Sequence, residues 1–333
     1  MAARDHALVV GIDGYSKLRR LQGAEADALA MRDWLVDADG GDVPSAQVTT
    51  ILSSAYPPAP RPAKARPMTD DVRAELEQLI DDAGPGLRLG RRLYLYLAGH
   101  GFAPAIDEVA VLMANASDRT LHHMPCVRYA DKFRESTVFE EVVLLIDCCR
   151  EMYEWPPRGD LGLPSITVQG ASVAYFYGFA TGWSQMSRES PAPDGSVRGR
   201  FTRAVVEALD EPGADSDSVE RYVARRMSEL DPGGRAGRPE FRRSGTLGFG
   251  ATTRASAAAA KGGAAVVRFA AATLPVQARI VDNASNVVAK ALVATSPWTV
   301  PLQWGLYELF VDGGSGPGRA FRVPAAGSVD VDA

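Results

Sequence analysis

VVLLIDCCR, residues 142–150, is a near-continuous apolar run that ends abruptly on an acid, two thiols and an arginine. A run of that length and continuity suits a strand buried on both faces of a sheet. LYLYLAGHG, residues 93–101, has the same build: an apolar, aromatic-rich run that ends on a histidine between two glycines. HALVVGI, residues 6–12, and residues 48–52 add two further strand-like runs. Between them lie helix patterns. Ala24, Ala28, Met31 and Leu35 recur at helical spacing, and so do Val72, Leu76, Leu79 and Ile80 after Thr69, a residue type suited to the helix cap. Strands alternating with helices predict an α/β fold with a mostly parallel sheet covered by helices on both faces.

The chemistry follows from that topology. In open α/β sheets reactive groups gather just beyond the carboxyl ends of the strands. Parallel neighbours would bring His100 and Cys149, with Cys148 beside it, to one edge of the sheet. A thiol and an imidazole there form a nucleophile and its acid–base partner. Gly101 has no side chain to block a substrate, and its N–H is a candidate oxyanion donor. A lone histidine between turn glycines, or a lone cysteine after an apolar run, would carry no such reading. The pairing does.

Composition narrows the alternatives. The chain has 333 residues, 46% hydrophobic and 23% charged, an ordinary core-forming makeup with room for two domains. Its 36 basic and 41 acidic residues give a net charge of −5, so no global basic surface addresses nucleic acid or an acidic membrane. No apolar stretch reaches the roughly 18 residues of a membrane span. The N-terminus lacks the pattern of a secretory signal. With three cysteines, Cys126, Cys148 and Cys149, and two of them adjacent, there is no disulfide framework. A cytoplasmic location with reduced thiols is expected.

Further along, residues 56–67 hold five prolines and predict an exposed loop. SVAYFYGF, residues 172–179, predicts a strand, followed by helices near 202–209 and 219–230. Residues 251–265 are small and featureless, a linker, and the β-like segments beyond predict a small all-β sandwich over 266–333. The first 250 residues then form the main domain, with a larger half at 1–150 and a smaller one at 171–250.

Four motifs in order carry a resemblance: ALVVGIDGY (7–15), LQGAEAD (21–27), LYLAGHG (95–101) and LLIDCCR (144–150), with GRFTRAVVEAL (199–209) beyond them. They resemble the caspase/metacaspase superfamily of cysteine peptidases over roughly residues 5–250. The histidine lies about 50 residues before the cysteine, as in caspases. Asp147 and Cys148, however, stand where the caspase signature has Gln and Ala, which is the Asp-x-Cys form of metacaspases and prokaryotic relatives.

The resemblance implies that the third position of Asp-x-Cys, Cys149, is the nucleophile, that His100 is its acid–base partner, and that Cys148 is a packed core thiol. It also implies that Asp147 and Asp27 line an acidic primary pocket, which selects Arg or Lys and repels Asp. Ala98 departs from the serine that metacaspases often carry two residues before the histidine. The loop between the halves, residues 151–170, is where such enzymes are often cut. Arg158 is the first self-cleavage candidate there, with Arg188, Arg198 and Arg200 next. The bound peptide would pair as an added strand near residues 180–183. Prokaryotic relatives imply a protein substrate in programmed death or antiphage defence, such as a pore-forming or toxin partner.

No cofactor is expected. His122, His123 and Cys126 lack the fourth ligand of a zinc site. Some metacaspases require calcium, but Asp107, Glu108 and Asp118 read as solvated loop acids, and Glu25 as a surface residue. The rival classes are a caspase-like scaffold without catalysis, which predicts a broken dyad, and a peptidase cutting after Asp.

Overall fold

The first strand, β1 (Asp5–Gly11), pairs in parallel with β2 (Val48–Leu52) on one side and β3 (Gly90–Ala98) on the other. The computed structural model describes residues 4–152, 162–191, 195–231, 237–250, 262–270, 273–282, 287–303, 305–311, 318–323 and 328–332. Helix α1 (Ala24–Val36) precedes β2, and α2 (Thr69–Ala83) precedes β3. Then come β4 (Gly101–Ala103), β5 (Ala110–Leu112), β6 (His123–Pro125), α3 (Cys126–Arg134), β7 (Phe139–Asp147) and β8 (Glu151–Met152). After these lie β9 (Ala174–Phe179), β10 (Glu189–Pro191), β11 (Val197–Gly199), α4 (Arg200–Leu209), α5 (Ser216–Leu230) and β12 (Glu240–Arg243).

The main sheet runs β12-β9-β7-β3-β1-β2 and is parallel except for β12, which runs antiparallel to β9. Side chains alternate across it. Leu95 and Leu97 of β3 share one core with Val72 and Leu76 of α2 and Val127 and Phe133 of α3. On the opposite face Trp34 of α1 meets Tyr94 edge-on at 6.1 Å, and the Tyr96 hydroxyl bonds Thr202 of α4 at 2.6 Å. Both faces are covered, which is why β3 and β7 read as near-continuous apolar runs. Gly11 lets α1 ride directly on β1, because a Cβ there would lie 2.7 Å from that of Ala28.

Two local expectations change. Thr69 does not cap α2; it is the first helical residue, and its hydroxyl donates to the His123 carbonyl at 3.2 Å. The cap is made from inside the helix, where the Asp71 carboxylate accepts the Met68 N–H at 2.7 Å. The proline-rich loop also holds a short 3₁₀ turn, Pro62–Lys64.

The chain divides into two compact units, Met1–Glu207 with Met227–Leu247, and Ala208–Arg226 with Gly248–Ala333. The second carries the all-β C-terminal part: β13 (Gly262–Arg268), β14 (Val276–Asp282), β15 (Val287–Val293), β16 (Trp298–Gln303), β17 (Gly305–Val311), β18 (Arg319–Val323) and β19 (Ser328–Asp332). These form two sheets, β16-β13-β19 and β15-β14-β17-β18. Val267 and Leu302 from the first and Ile280, Leu309 and Val323 from the second share a single core, as a sandwich requires. Residues 251–261 of the expected linker lie outside the described residues. Among the described residues no helix is long and apolar enough to cross a membrane.

Candidate active site

Because β3 and β7 are parallel neighbours with Ala98 opposite Asp147, their chains leave the sheet side by side. The two exits pair again just past His100 and Cys149, Phe102 opposite Glu151 and Ala103 opposite Met152. His100 and Cys149 are therefore framed by pairing before and after them. Both line a cavity of about 490 Å³ at the carboxyl edge of the sheet, together with Asp27 and Asp147. The structure places these four residues along one cavity.

His100 is held on three sides. Its ring Nε2 lies 2.7 Å from the Arg19 carbonyl, its N–H donates to the Tyr15 hydroxyl at 2.8 Å, and its C=O accepts from Leu112 N–H at 2.8 Å. A carbonyl can only accept, so Nε2 carries the hydrogen, and in the neutral ring Nδ1 is the basic nitrogen. Arg19 and Tyr15 had no assigned role in the sequence. A backbone carbonyl leaves no signature there, and Tyr15 was visible only as the end of a motif.

The two cysteines part company. Cys149 is half-buried on the cavity wall, its thiol 3.7 Å from the Ser187 carbonyl. Burial pushes its pKa up, so the resting form is the thiol and a neighbouring base has to take the proton. Cys148 is buried, and burial pushes its thiol far higher. Its Sγ fills the place a Cβ on Gly101 would need. The glycine is thus required by the thiol packed behind it, besides any role of its N–H.

Both acids are buried and hydrogen-bonded. The Asp27 carboxylate accepts from Arg198 Nε at 2.7 Å and from Gly199 N–H at 2.6 Å. Asp147 accepts from the Ser187 hydroxyl at 2.8 Å, and from the Thr202 hydroxyl and N–H at 2.8 and 3.1 Å. Burial first, then the charge of Asp147, pushes the Asp27 pKa well above the usual carboxylate range. Burial likewise raises Asp147, opposed by its Thr202 and Ser187 hydrogen bonds. The two carboxylates meet around Gly199, where a Cβ would collide with both.

The caspase-domain family of peptidases matches residues 4–247. The chain belongs to that family. A probable protease of a Desulfuromonadales bacterium is 34% identical over 152 residues, which is 44% of this chain and 18% of that protein. The chain thus matches under a fifth of that relative's length. The crystal structure of caspase-1 from Spodoptera frugiperda aligns over 72% of this chain and 86% of its own at 12% identity, with a TM-score of 0.44.

Several expected features of the caspase domain fall elsewhere than predicted. The stretch 180–183 is not an open edge. Ala180 N–H already pairs with Ile146, the Thr181 hydroxyl closes a turn onto the Gln185 carbonyl, and both residues are buried. The segment that runs along the cavity is 186–188. Arg158 lies outside the described residues. Of the other cleavage candidates, Arg188 lines the cavity, Arg198 is paired with Asp27, and Arg200 is paired with Asp231 at 3.0 Å.

His122, His123 and Cys126 go to different surroundings. His122 is exposed, the His123 ring meets Phe102 edge-on, and the buried Cys126 thiol donates to the Met124 carbonyl at 3.3 Å. Among the described residues no three metal-ligating side chains converge. Glu25 is no free surface acid either; it accepts from the Ser53 hydroxyl at 2.5 Å and Ser54 N–H at 2.7 Å.

Glu108 departs most from its expectation. It is buried, and its carboxylate accepts the N–H groups of Val109, Val127 and Arg128, the last two in the first turn of α3. Burial raises its pKa to about 7 despite those bonds. The folded state therefore binds a proton more tightly than the unfolded chain. The resulting stability is complete at acid pH and is lost as the pH climbs through about 7. Wild type should lose on the order of 3 kcal/mol from this group between its unfolded value of 4.5 and about 7. Glu108→Gln should lack that slope; chemical denaturation at a series of pH values measures the difference.

Proposed function

We propose that this caspase domain is a cysteine endopeptidase that cleaves proteins after Arg or Lys. The observation that carries the proposal is that His100, its Nε2 2.7 Å from the Arg19 carbonyl, lines the same cavity as Cys149. Nδ1 takes the thiol proton as Sγ attacks the scissile carbonyl carbon. The N–H groups of Cys149 and Gly101 are the donors proposed for the oxyanion. When the C–N bond breaks, the imidazolium returns its proton to the departing amine. His100 then deprotonates a water that attacks the thioester, releasing the new carboxyl terminus and restoring the thiol.

Specificity rests on Asp27 and Asp147. Their internal partners leave lone pairs unused, since each carboxylate offers about four acceptor sites. A guanidinium or ammonium would add to Arg198 the further positive charge that two carboxylates buried side by side favour. The peptide would lie extended along residues 186–188. The substrate class suggested by the family resemblance is a partner released by such a cut, a pore-forming or toxin protein among them. A second reading, cleavage after Asp, draws on Arg19 and Arg188 in the same cavity.

Peptidyl chloromethyl ketones separate the two. An Arg-ended reagent is expected to add once to wild type, on Cys149, and not to Cys149→Ala, as read by intact mass. Labelling by the Asp-ended reagent alone would overturn the acidic pocket. Labelling that survives in Cys149→Ala would overturn the nucleophile.

A further inference from the structure

The motif ALVVGIDGY ends on Tyr15, and the chemistry above gives that residue nothing to do. Its surroundings do. The Tyr15 hydroxyl accepts the His100 N–H at 2.8 Å and donates to the Leu112 carbonyl at 3.3 Å. Its ring lies against the imidazole, with centroids 4.8 Å apart and planes tilted by 56°. A Cβ on Gly99 would come within 2.5 Å of the same hydroxyl, so the glycine before His100 makes room for it.

The loop that carries Tyr15 also carries Arg19, whose carbonyl binds the other end of the imidazole. That loop is itself tied down: Ser16 N–H donates to the Ala114 carbonyl at 3.1 Å and Leu21 N–H to the Asp13 carbonyl at 3.0 Å. One loop thus grips His100 by its backbone, its ring face and its Nε2. The hydroxyl is a second tie between the exit of β3 and β5, beside the Leu112 N–H that donates to the His100 carbonyl.

We propose that Tyr15 is a positioning residue of the dyad, its hydroxyl fixing the Gly99–His100 turn and its ring fixing the plane of the imidazole. The inference rests on the Cys149–His100 reading and adds to it a residue that never touches the substrate. Burial keeps the phenol protonated, since its pKa is pushed above the ordinary value, so it can both accept from His100 and donate to Leu112 at any working pH. Removing the hydroxyl strands the His100 N–H and frees the turn. Small displacements of a catalytic base have large rate costs.

The alternative is that Tyr15 only fills space, and Tyr15→Phe keeps that packing. The direct readout is the rate at which iodoacetamide alkylates Cys149 from about pH 5 to 9, which follows the thiolate and needs no peptide substrate. It is to be measured on the full chain for wild type, His100→Ala and Tyr15→Phe, with a melting temperature for each. His100→Ala is expected to lose the reaction at neutral pH, where the thiol needs His100 to take its proton, and to react only at the alkaline end. Tyr15→Phe should slow that reaction roughly 10- to 100-fold while melting within a few degrees of wild type. Gly99→Ala, which drives a methyl into the same hydroxyl, should slow it too.

Where peptide turnover is measured, Tyr15→Phe should lower kcat and leave KM within about twofold. A Tyr15→Phe profile that overlays wild type, with His100→Ala impaired, would overturn the positioning role and leave the dyad standing. A His100→Ala profile that overlays wild type would overturn the dyad and the inference with it. Slowing matched by a collapse of the melting temperature would reduce Tyr15 to packing.

Discussion

Cys149→Ala is expected to abolish peptide hydrolysis, a loss of about 10⁴-fold or more, with no large change in melting temperature. The substitution removes one half-buried sulfur held by a long hydrogen bond to the Ser187 carbonyl, at 3.7 Å. Little packing goes with it. Cys148→Ala should behave in the opposite way. That sulfur is buried under Gly101 and donates to the Cys149 carbonyl at 3.2 Å. Its removal opens a void behind the site and should cost about 1–2 kcal/mol, with hydrolysis retained. Parallel turnover and thermal-melt measurements on the two variants decide which cysteine reacts. Loss of turnover in Cys148→Ala, with Cys149→Ala active, would reverse the assignment.

The second large effect is on stability. Arg150 is fully buried immediately after Cys149. Its guanidinium reaches Glu240 at 2.6 Å, the Thr181 carbonyl at 3.2 Å and the Ile106 carbonyl at 3.0 Å, and lies 5.1 Å above the Phe179 ring. It therefore ties the exit of β7 to the turn after β9, to β12 and to the loop after β4. Breaking a buried ion pair from one side usually costs 3–5 kcal/mol. Here Arg242 still holds the other oxygen of Glu240, at 2.7 Å, so Arg150→Met should cost about 3 kcal/mol. That corresponds to roughly 6–12 °C in the melting temperature of the caspase domain. Arg150→Lys should not rescue it, because one ammonium cannot span three acceptors set out for a planar fork. A melting temperature unchanged in Arg150→Met would show that these contacts carry no weight.

The parts of this architecture that the sequence disclosed are those with a repeating physical cause. Strands β3 and β7 are covered on both faces, so Leu93 to Leu97 and Val142 to Ile146 had to be apolar almost without a break. Their two exits then located His100 and Cys149. Short elements gave no such signal: β4, β5 and β6 are three residues each, too brief for any alternation to register. Asp27 and Asp147 could be placed in one pocket only through family resemblance, since a first-turn helical acid and a strand-end acid look ordinary one at a time. Glu108 and Arg150 were misjudged or passed over for one reason. A charged residue reads as exposed until the backbone groups that satisfy it are known, and those groups come from distant parts of the chain. The Arg19 carbonyl shows the limit most plainly, because every residue has one.

The most direct test of the central claim is hydrolysis of fluorogenic peptides ending in Arg, Lys or Asp by purified wild type and Cys149→Ala, with and without calcium. The account predicts turnover after Arg or Lys, none after Asp, and none by the variant. Turnover after Asp but not after Arg or Lys would contradict the acidic pocket, and turnover retained by Cys149→Ala would contradict the peptidase mechanism itself.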